Sequence, residues 1–420
     1  MPTSAAPAPT PGLGEPVGPP AALVETPDDT AGLTAWADVD LAAIRANVAR
    51  LDELSGAAAV MAVVKADAYG HGLVPVARAA LAGGATHLGV AQLDEALVAR
   101  AAGIAAPLLT WLFTPATDLA PAVAADLTLS AGAPWSLQRI ADGARAAGTA
   151  ATVHLKVDTG LGRGGAWGDD LAAMLRDAAR LEAEGAIDVE GIWSHFAWAD
   201  APQHPTVRRQ QEVFADAVAA AERAGLRPRI RHLANSAATL TNPAAHLDMV
   251  RPGLAVYGLS PTPDLGGPPH FGLTEAMRLS ARLVSVKDAP AGQGVSYGHE
   301  YVTQGATRLG LVPIGYGDGV PRAGGNVGPV ALDGRRLTVA GRVCMDQVVL
   351  DLGAGSDAQP GDEVVLIGRE ADGEPTAQDW ASATGTINYE IVTRIGARVP
   401  RRYLGEVDAT DSTGAAGAGA

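Results

Sequence analysis

The chain has 420 residues, of which 18% are charged and 47% hydrophobic, a length and balance that allow two domains and a large core. Its formal net charge of -15 at pH 7 argues against a nucleic acid or an anionic membrane surface as a partner, because both require a basic protein surface. No apolar run approaches the roughly 20 residues of a membrane span, and the single cysteine, Cys344, cannot form an internal disulfide, so a reducing cytoplasm is the expected location.

Both ends of the chain have the composition of disordered segments. Residues 1–34 are rich in Pro, Ala, Gly and Thr, lack the basic start and apolar core of a secretory signal, and contain few large apolar side chains. Residues 407–420 have a similar low-complexity composition. We therefore expect two disordered tails around a folded part.

Helix and strand patterns alternate over residues 35–274. Apolar residues at helical spacing predict helices at about 38–54, 75–81, 94 onward, 135–147, 169–184 and 207–224. Short apolar runs predict strands at about 60–65, 86–91, 107–112, 127–130, 152–157, 189–195, 230–234 and 247–250. About eight such units predict a (β/α)8 TIM-type barrel, and a doubly wound open sheet is the structural alternative.

The pattern changes at about residue 275, where alternating Val-rich segments are separated by Gly and Pro. It predicts a mostly β domain over residues 275–406. The predicted strands are 281–286, 307–313, 329–332, 337–343, 347–352 and 363–368, with one helix at 376–383.

The strand that ends on Lys65 carries the clearest chemical signal. Burial at the end of a strand disfavours an ammonium ion, so the lysine pKa falls and its amine becomes available for carbonyl chemistry. A lysine that only extends from the sheet into solvent is the structural alternative. Lys65, Arg163, His195, Asn235 and Arg251 all follow predicted strand ends, where barrel enzymes carry their catalytic groups.

The segment from Ala62 to Gly72, AVVKADAYGHG, closely resembles the cofactor-lysine motif of alanine racemases, fold-type III enzymes that use pyridoxal 5'-phosphate (PLP). Asp67 stands where the family usually has Asn. Further motifs follow in the family order between about Trp36 and Arg402: KVDTGLGRGG from Lys156, WSHF from Trp193, HLANSAA from His232, MVRPGLAVYG from Met249, VSYG from Val295, IGYGDG from Ile314, GRVCMDQ from Gly341 and INYE from Ile387. Leu161 replaces a common methionine, and Gly317 replaces a more usual alanine.

The resemblance implies a role for each matching position. Lys65 would hold PLP covalently and serve as one catalytic base, and Tyr297 would be the other. The implied cofactor-binding residues are Lys65, Tyr69, His195, Asn235, Ser236, Arg251, Gly253, Leu254 and Tyr389. The implied substrate-binding residues are Arg163, Tyr316, Met345 and Asp346. No metal is implied.

Two positively charged residues near the cofactor have specific implied roles. Arg251 would donate to the pyridine nitrogen of PLP, but an arginine cannot give that nitrogen its proton, because its own pKa is above about 12. Lys156 matches a lysine that some members carry as a carbamate. Unmodified, it would face Arg163 as a like charge, so a carbamate or a bound anion is one interpretation, and a simple pair with Asp158 is the other.

The family pattern implies an enzyme that interconverts L- and D-alanine by two-base transfer of the Cα proton and supplies D-alanine for peptidoglycan. It also implies a homodimer, in which Tyr297, Met345 and Asp346 reach the partner's barrel. A serine or broad-specificity racemase stays open as an alternative. Less favoured are a PLP-dependent decarboxylase, which needs a carboxylate where this chain has Arg251, and a non-catalytic PLP-binding protein, which would not need the added domain.

Overall fold

A computed structural model describes residues 30–405. Residues 1–29 and 406–420 lie outside this range, and they include most of the predicted tail at 1–34 and all of the one at 407–420. The strands of the described part are β1 Ala35–Asp40, β2 Ala59–Val63, β3 His87–Gln92, β4 Leu108–Leu112, β5 Thr128–Ala131, β6 Ala151–Lys156, β7 Ile187–Trp193, β8 Ile230–His232, β9 Met249–Val250, β10 Met277–Arg282, β11 Ser285–Ala289, β12 Gly294–Val295, β13 Tyr301–Val302, β14 Thr307–Val312, β15 Pro329–Leu332, β16 Arg335–Thr338, β17 Val348–Asp351, β18 Glu363–Ile367 and β19 Arg401–Leu404. Its α-helices are α1 Leu41–Ser55, α2 Lys65–Gly70, α3 Leu73–Ala82, α4 Leu93–Ala101, α5 Ala120–Ala124, α6 Pro134–Ala147, α7 Gly168–Ala183, α8 Pro205–Arg223, α9 Ser236–Thr241, α10 Ala377–Thr384 and α11 Asn388–Thr393.

Strands β2 to β9 form the predicted parallel barrel. Their order is β8-β7-β6-β5-β4-β3-β2-β9, and a parallel bridge between Asn235 and Arg251 joins the two ends of the sheet. The strands are short and mostly buried on both faces, as in Val60 to Val63, because helices cover the outside and side chains fill the inside. The barrel prediction is confirmed, and the open doubly wound sheet is excluded.

The second domain is built mainly from strands, as predicted. Six strands form the sheet β16-β15-β18-β10-β1-β19, three form β11-β14-β17, and β12 pairs with β13. The predicted strand at 281–286 is in fact the end of β10 and the start of β11. The chain turns between them, and the two strands join different sheets. None of the helices in the described residues is long and apolar enough to cross a membrane.

The first strand corrects one detail of the domain assignment. The sequence assigns residue 35 to the barrel, but β1 pairs antiparallel with β10 and parallel with β19 in the second domain. The predicted first helix begins at Leu41 rather than 38, because the Asp40 carboxylate accepts a hydrogen bond from the Ala43 amide at 2.9 Å and caps it. The barrel therefore follows a strand that belongs to the other domain. A boundary near residue 275 stays our proposal.

Candidate active site

A cavity of about 380 Å3 lies where the barrel strands end. Eleven of the residues singled out from the sequence line it: Lys65, Tyr69, Lys156, Arg163, His195, Asn235, Ser236, Arg251, Gly253, Leu254 and Tyr389. Its other lining residues are Val63, Ala66, Trp111, Trp193 and Thr393. The cavity thus brings together residues that are up to 330 positions apart, from Val63 of the barrel to Thr393 of the second domain.

The cavity is strongly cationic. Lys65, Lys156, Arg163 and Arg251 line it, and its lining includes no Asp or Glu. Burial and then the charge of Arg163 lower the pKa of Lys65, while burial, Arg163 and Arg251 lower the pKa of Lys156 to about 8. Such an arrangement favours anionic ligands. It also makes both lysines lose their protons more readily than a lysine in water does.

The turn that carries Lys65 is left-handed. Residues 66–69 all have φ between 52° and 54°, a conformation that costs an L-residue roughly 1–2 kcal/mol. The carboxylate of Glu95 accepts hydrogen bonds from the amides of Ala66 and Asp67 at 2.5 and 3.4 Å. At the other end, the guanidinium of Arg401 donates to the Gly70 carbonyl at 3.0 Å. Distant contacts on both sides therefore hold this turn.

The loop that carries Arg163 is organised by Asp158. Its carboxylate accepts hydrogen bonds from the amides of Gly160, Leu161, Gly162 and Arg163 at 2.9 to 3.2 Å. The pair between Lys156 and Asp158, one of the two interpretations of the sequence, is absent from the ion pairs of residues 30–405, and the carboxylate binds these amides instead. Lys156 Nζ instead lies 4.5 Å from the centre of the Trp193 ring.

Arg251 is 5% exposed and packs beneath the cavity. Its Nη2 donates to the Ser194 carbonyl at 2.7 Å and lies 3.5 Å from His195 Nδ1. Burial lowers the pKa of Arg251 to about 9, so the guanidinium stays charged at neutral pH. Burial and the Arg251 charge hold the pKa of His195 well below its usual value, so this ring is neutral.

One side of the cavity has the form of a small anion cradle. The Ser236 hydroxyl accepts a hydrogen bond from the Gly253 amide at 2.8 Å, and Asn235 accepts one from the Ala238 amide at 3.1 Å. A Cβ atom on Gly253 would lie 2.4 Å from the Tyr69 hydroxyl, so any larger residue would force Tyr69 to move. Within residues 30–405, the hydroxyls of Tyr69 and Tyr389 have no hydrogen-bond partner, so they can donate to a ligand.

Four predicted site residues do not line the cavity. Tyr297, Tyr316, Met345 and Asp346 lie on the second domain, and we call them the second-domain patch. Ser296 Oγ, adjacent to Tyr297, lies 3.4 Å from Cys344 Sγ. The Tyr316 amide donates to the Cys344 carbonyl at 3.0 Å, next to Met345. Tyr297 is 70% exposed and Met345 53% exposed. These side chains therefore face solvent in the single chain.

Two tryptophans of the cavity were not predicted from the sequence. Trp111 lies in β4 and Trp193 ends β7, and their ring centres are 6.0 Å apart. Lys65 Nζ lies 5.9 Å from the Trp111 ring, and the Arg251 guanidinium lies 4.9 Å from the Trp193 ring. Their position near barrel strand ends was the available signal, since that is where functional side chains concentrate.

No group of three or more His, Cys, Asp or Glu side chains in residues 30–405 is arranged to hold a metal ion. The groups that converge on the cavity are instead cations, aromatic rings and hydroxyl donors. This set suits a ligand with anionic groups and a flat ring.

Comparisons with known proteins identify relatives along both domains. The family model for the alanine racemase N-terminal domain matches residues 39–261, and the model for the C-terminal domain matches residues 276–403. The alanine racemase of Beutenbergia cavernae is 59% identical over 375 residues, which cover 89% of this chain and 99% of that protein. The solved structure of the alanine racemase from Streptomyces coelicolor is 55% identical, with 90% of this chain and 99% of that chain covered and a TM-score of 0.88. The crystal structure of the alanine racemase from Streptomyces lavendulae is 52% identical, with 89% of this chain and 98% of that chain covered and a TM-score of 0.88.

Proposed function

Because the chain belongs to the alanine racemase family, we propose that it interconverts L-alanine and D-alanine with PLP as its cofactor. The observation that carries this proposal is the cavity itself, in which a strand-end lysine with a lowered pKa lies among three further cations and no carboxylate. A phosphate and a substrate carboxylate both require such a lining.

The residues of the cavity fit PLP. Lys65 would bind it covalently. Tyr69, Tyr389, Asn235, Ser236, Gly253 and Leu254 would hold its phosphate, while His195 and Arg251 would contact its ring. The cradle in which a Cβ on Gly253 would meet Tyr69 supports a tightly fitted ligand there. Bound PLP supplies an electron-withdrawing group that acidifies the Cα proton of the substrate.

The substrate carboxylate would pair with Arg163, whose backbone Asp158 holds in place. A guanidinium can donate two parallel hydrogen bonds to a carboxylate. By the family pattern, Tyr316, Met345 and Asp346 would complete the substrate site from the partner subunit.

Racemisation needs a proton removed from one face of Cα and returned to the other, so two bases are required. Lys65 Nζ is one, because its lowered pKa makes a neutral amine accessible. The tyrosines of the cavity are poor candidates for the second. Burial raises the pKa of Tyr69, and burial together with Asp200 raises the pKa of Tyr389 to about 12.

We therefore assign the second base to Tyr297 of a partner subunit in a homodimer. The exposure of the second-domain patch and its separation from the cavity lining support this assignment. An isolated chain would then be inactive.

Lys156 is a candidate for carbamylation. Its neighbours Arg163 and Arg251 are like charges, and a pKa of about 8 exposes the neutral amine. The ammonium group first loses one proton, and the neutral amine then adds to CO2 and loses a second, so that a cation becomes an anionic carbamate. The carbamate would then position Arg163.

Arg251 also separates the candidate functions. A decarboxylase needs a carboxylate against the pyridine nitrogen, and no carboxylate lines this cavity. A protein that only stores PLP would not need the exposed patch of the second domain. A serine or broad-specificity racemase would share all these residues, so substrate panels must distinguish it. We also propose a cytoplasmic location, in keeping with the lone Cys344, and a role in supplying D-alanine for peptidoglycan.

The decisive experiment incubates the purified protein with PLP and L-alanine in deuterated water and follows optical rotation and Cα deuteration. We expect both to change, and unchanged alanine would refute the function. Serine and other L-amino acids in the same assay define the specificity. Reduction with borohydride should attach the cofactor to Lys65, and a label on Lys156 would refute the assignment of the lysines.

A subunit-mixing experiment tests the shared site. We expect Lys65→Ala and Tyr297→Phe to be inactive alone, and a mixture to recover activity, because one site of a mixed dimer has both bases. Tyr301→Phe is the matched control, since that hydroxyl only contacts Asp351, at 2.7 Å. Proven mixed dimers without activity would show that both bases come from one chain.

A further inference from the structure

A continuous line of side chains runs through the barrel interior from the cavity to the opposite end. Arg251 Nη1 lies 3.3 Å from His232 Nδ1, and His232 Nε2 lies 2.8 Å from His154 Nδ1. His154 Nε2 lies 3.1 Å from the Glu190 carboxylate. Glu190 in turn lies 3.6 Å from Arg229, whose side chain is 58% exposed.

The chemistry of the two ends fixes the direction of every hydrogen bond. A guanidinium only donates and a carboxylate only accepts. His232 Nδ1 must therefore accept from Arg251, which leaves the proton on His232 Nε2. That proton is donated to His154 Nδ1, so the His154 proton lies on Nε2 and is donated to Glu190. Both rings are thus neutral and have the same tautomer.

The surroundings support this arrangement. His154 and His232 are 1% and 0% exposed, and burial lowers the pKa of both rings. The hydrogen bond from His154 lowers the pKa of Glu190. A buried ring that accepts and donates one hydrogen bond each is fully satisfied.

We propose that Glu190, His154 and His232 are positioning residues that orient Arg251 under the cavity. The inference rests on the proposed function, in which Arg251 meets the cofactor ring. If every hydrogen bond in this series ran in the opposite direction, an N–H of His232 would face an N–H of Arg251 and displace the guanidinium. Glu190 prevents that reversal, because a carboxylate cannot donate. An amide at that position can donate or accept, so that only Arg251 would then constrain the direction of these hydrogen bonds.

The tautomers can be measured directly on the wild-type protein. Nitrogen-15 NMR of histidine-labelled protein, with and without PLP, should show His154 and His232 both protonated on Nε2 at neutral pH. A proton on Nδ1 of either ring, or a charged ring, would overturn the proposal. This measurement needs no substitution in the barrel core and no enzymatic activity.

Kinetics then test the functional consequence with matched variants. Glu190→Gln should lower kcat for alanine racemisation by about tenfold, the low end of what loss of an orienting partner costs, without a change in KM. Asp188→Asn is the control, because Asp188 lies on the same strand and binds Arg229 at 2.7 Å but forms no hydrogen bond with Glu190, His154 or His232. We expect it to keep wild-type kinetics.

Either of two kinetic outcomes would overturn the proposal: a wild-type kcat in Glu190→Gln, or an equal loss in Asp188→Asn. A wild-type protein that does not racemise alanine would instead refute the proposed function. The NMR result would then still decide the direction of the chain.

Discussion

Replacing Gly253 with alanine tests whether the cradle beside Tyr69 holds the cofactor phosphate. The added Cβ would lie 2.4 Å from Tyr69 Oη and 3.1 Å from its Cζ, well inside the normal contact distance of about 3.5 to 4.0 Å. Tyr69 cannot retreat into the protein, because its ring packs against Tyr257 and Tyr389 with centres 4.7 and 6.2 Å apart. It can only move into the cavity.

A bound ligand would force Tyr69 out of the cavity and back against the added Cβ atom. The free-energy cost of this overpacking would therefore reduce the affinity for the ligand. That cost is about 1–3 kcal/mol, which corresponds to a PLP Kd raised by about 5- to 150-fold. The assay is an absorbance titration of cofactor-stripped protein with PLP. Gly305→Ala is the control, because no atom lies within 4 Å of its added Cβ.

An unchanged Kd in Gly253→Ala would refute the placement of the phosphate beside Tyr69. An equal loss of affinity in both variants would show that the effect is not local. Unfolding curves of the two variants distinguish lost affinity from lost folding.

Three further predictions concern the left-handed turn. Glu95→Ala removes the carboxylate that accepts hydrogen bonds from two amides of the turn. It should weaken PLP binding by about tenfold, since a hydrogen bond to a charged group contributes about 1.5–3 kcal/mol. An equal loss of affinity in the neighbouring variant Asp94→Ala would contradict this. Ala66→Gly should raise the unfolding free energy by about 0.5–1 kcal/mol in urea titrations, because a left-handed L-residue costs more than the entropy of glycine, whereas Ala46→Gly in α1 should lower it. Burial lowers the pKa of His71 to about 4, whereas a histidine in the unfolded chain has a pKa of about 6.5. Between these values the unfolded state binds more protons, so folding stability should fall by about 3 kcal/mol from pH 6.5 to 4. His71→Asn should flatten that pH profile, and an unchanged profile would contradict the reasoning.

The sequence predicted the parts of the site that depend on local pattern. Lys65, His195 and Arg251 follow short apolar runs. Their alternation with helical patterns was enough to predict strand ends in a parallel barrel. The hydrophobic pattern also predicted the change to a β domain. It did not reveal that β1 belongs to that domain, because a strand's partner is chosen by tertiary contacts rather than by its own residues.

The left-handed turn was beyond local prediction for the same reason. Nothing in Ala-Asp-Ala-Tyr favours four positive φ angles, and the contacts that impose them come from Glu95 and from Arg401, 331 residues away from Gly70. The direction of the histidine chain also required the structure. The sequence does not show that His154 and His232 lie between Glu190 and Arg251, because these four residues are far apart along the chain.

The left-handed turn also has a consequence for the chirality of the chain itself. The φ and ψ angles of Ala66, 54° and 52°, are nearly the mirror image of the ordinary right-handed helix, at about −57° and −47°. This is the backbone region that a D-amino acid occupies without steric cost. In a chemically synthesised chain, D-alanine at position 66 would therefore fit this backbone without the strain that the L-residue carries. Next to the lysine proposed to invert alanine, the protein's own backbone has the geometry of the opposite enantiomer.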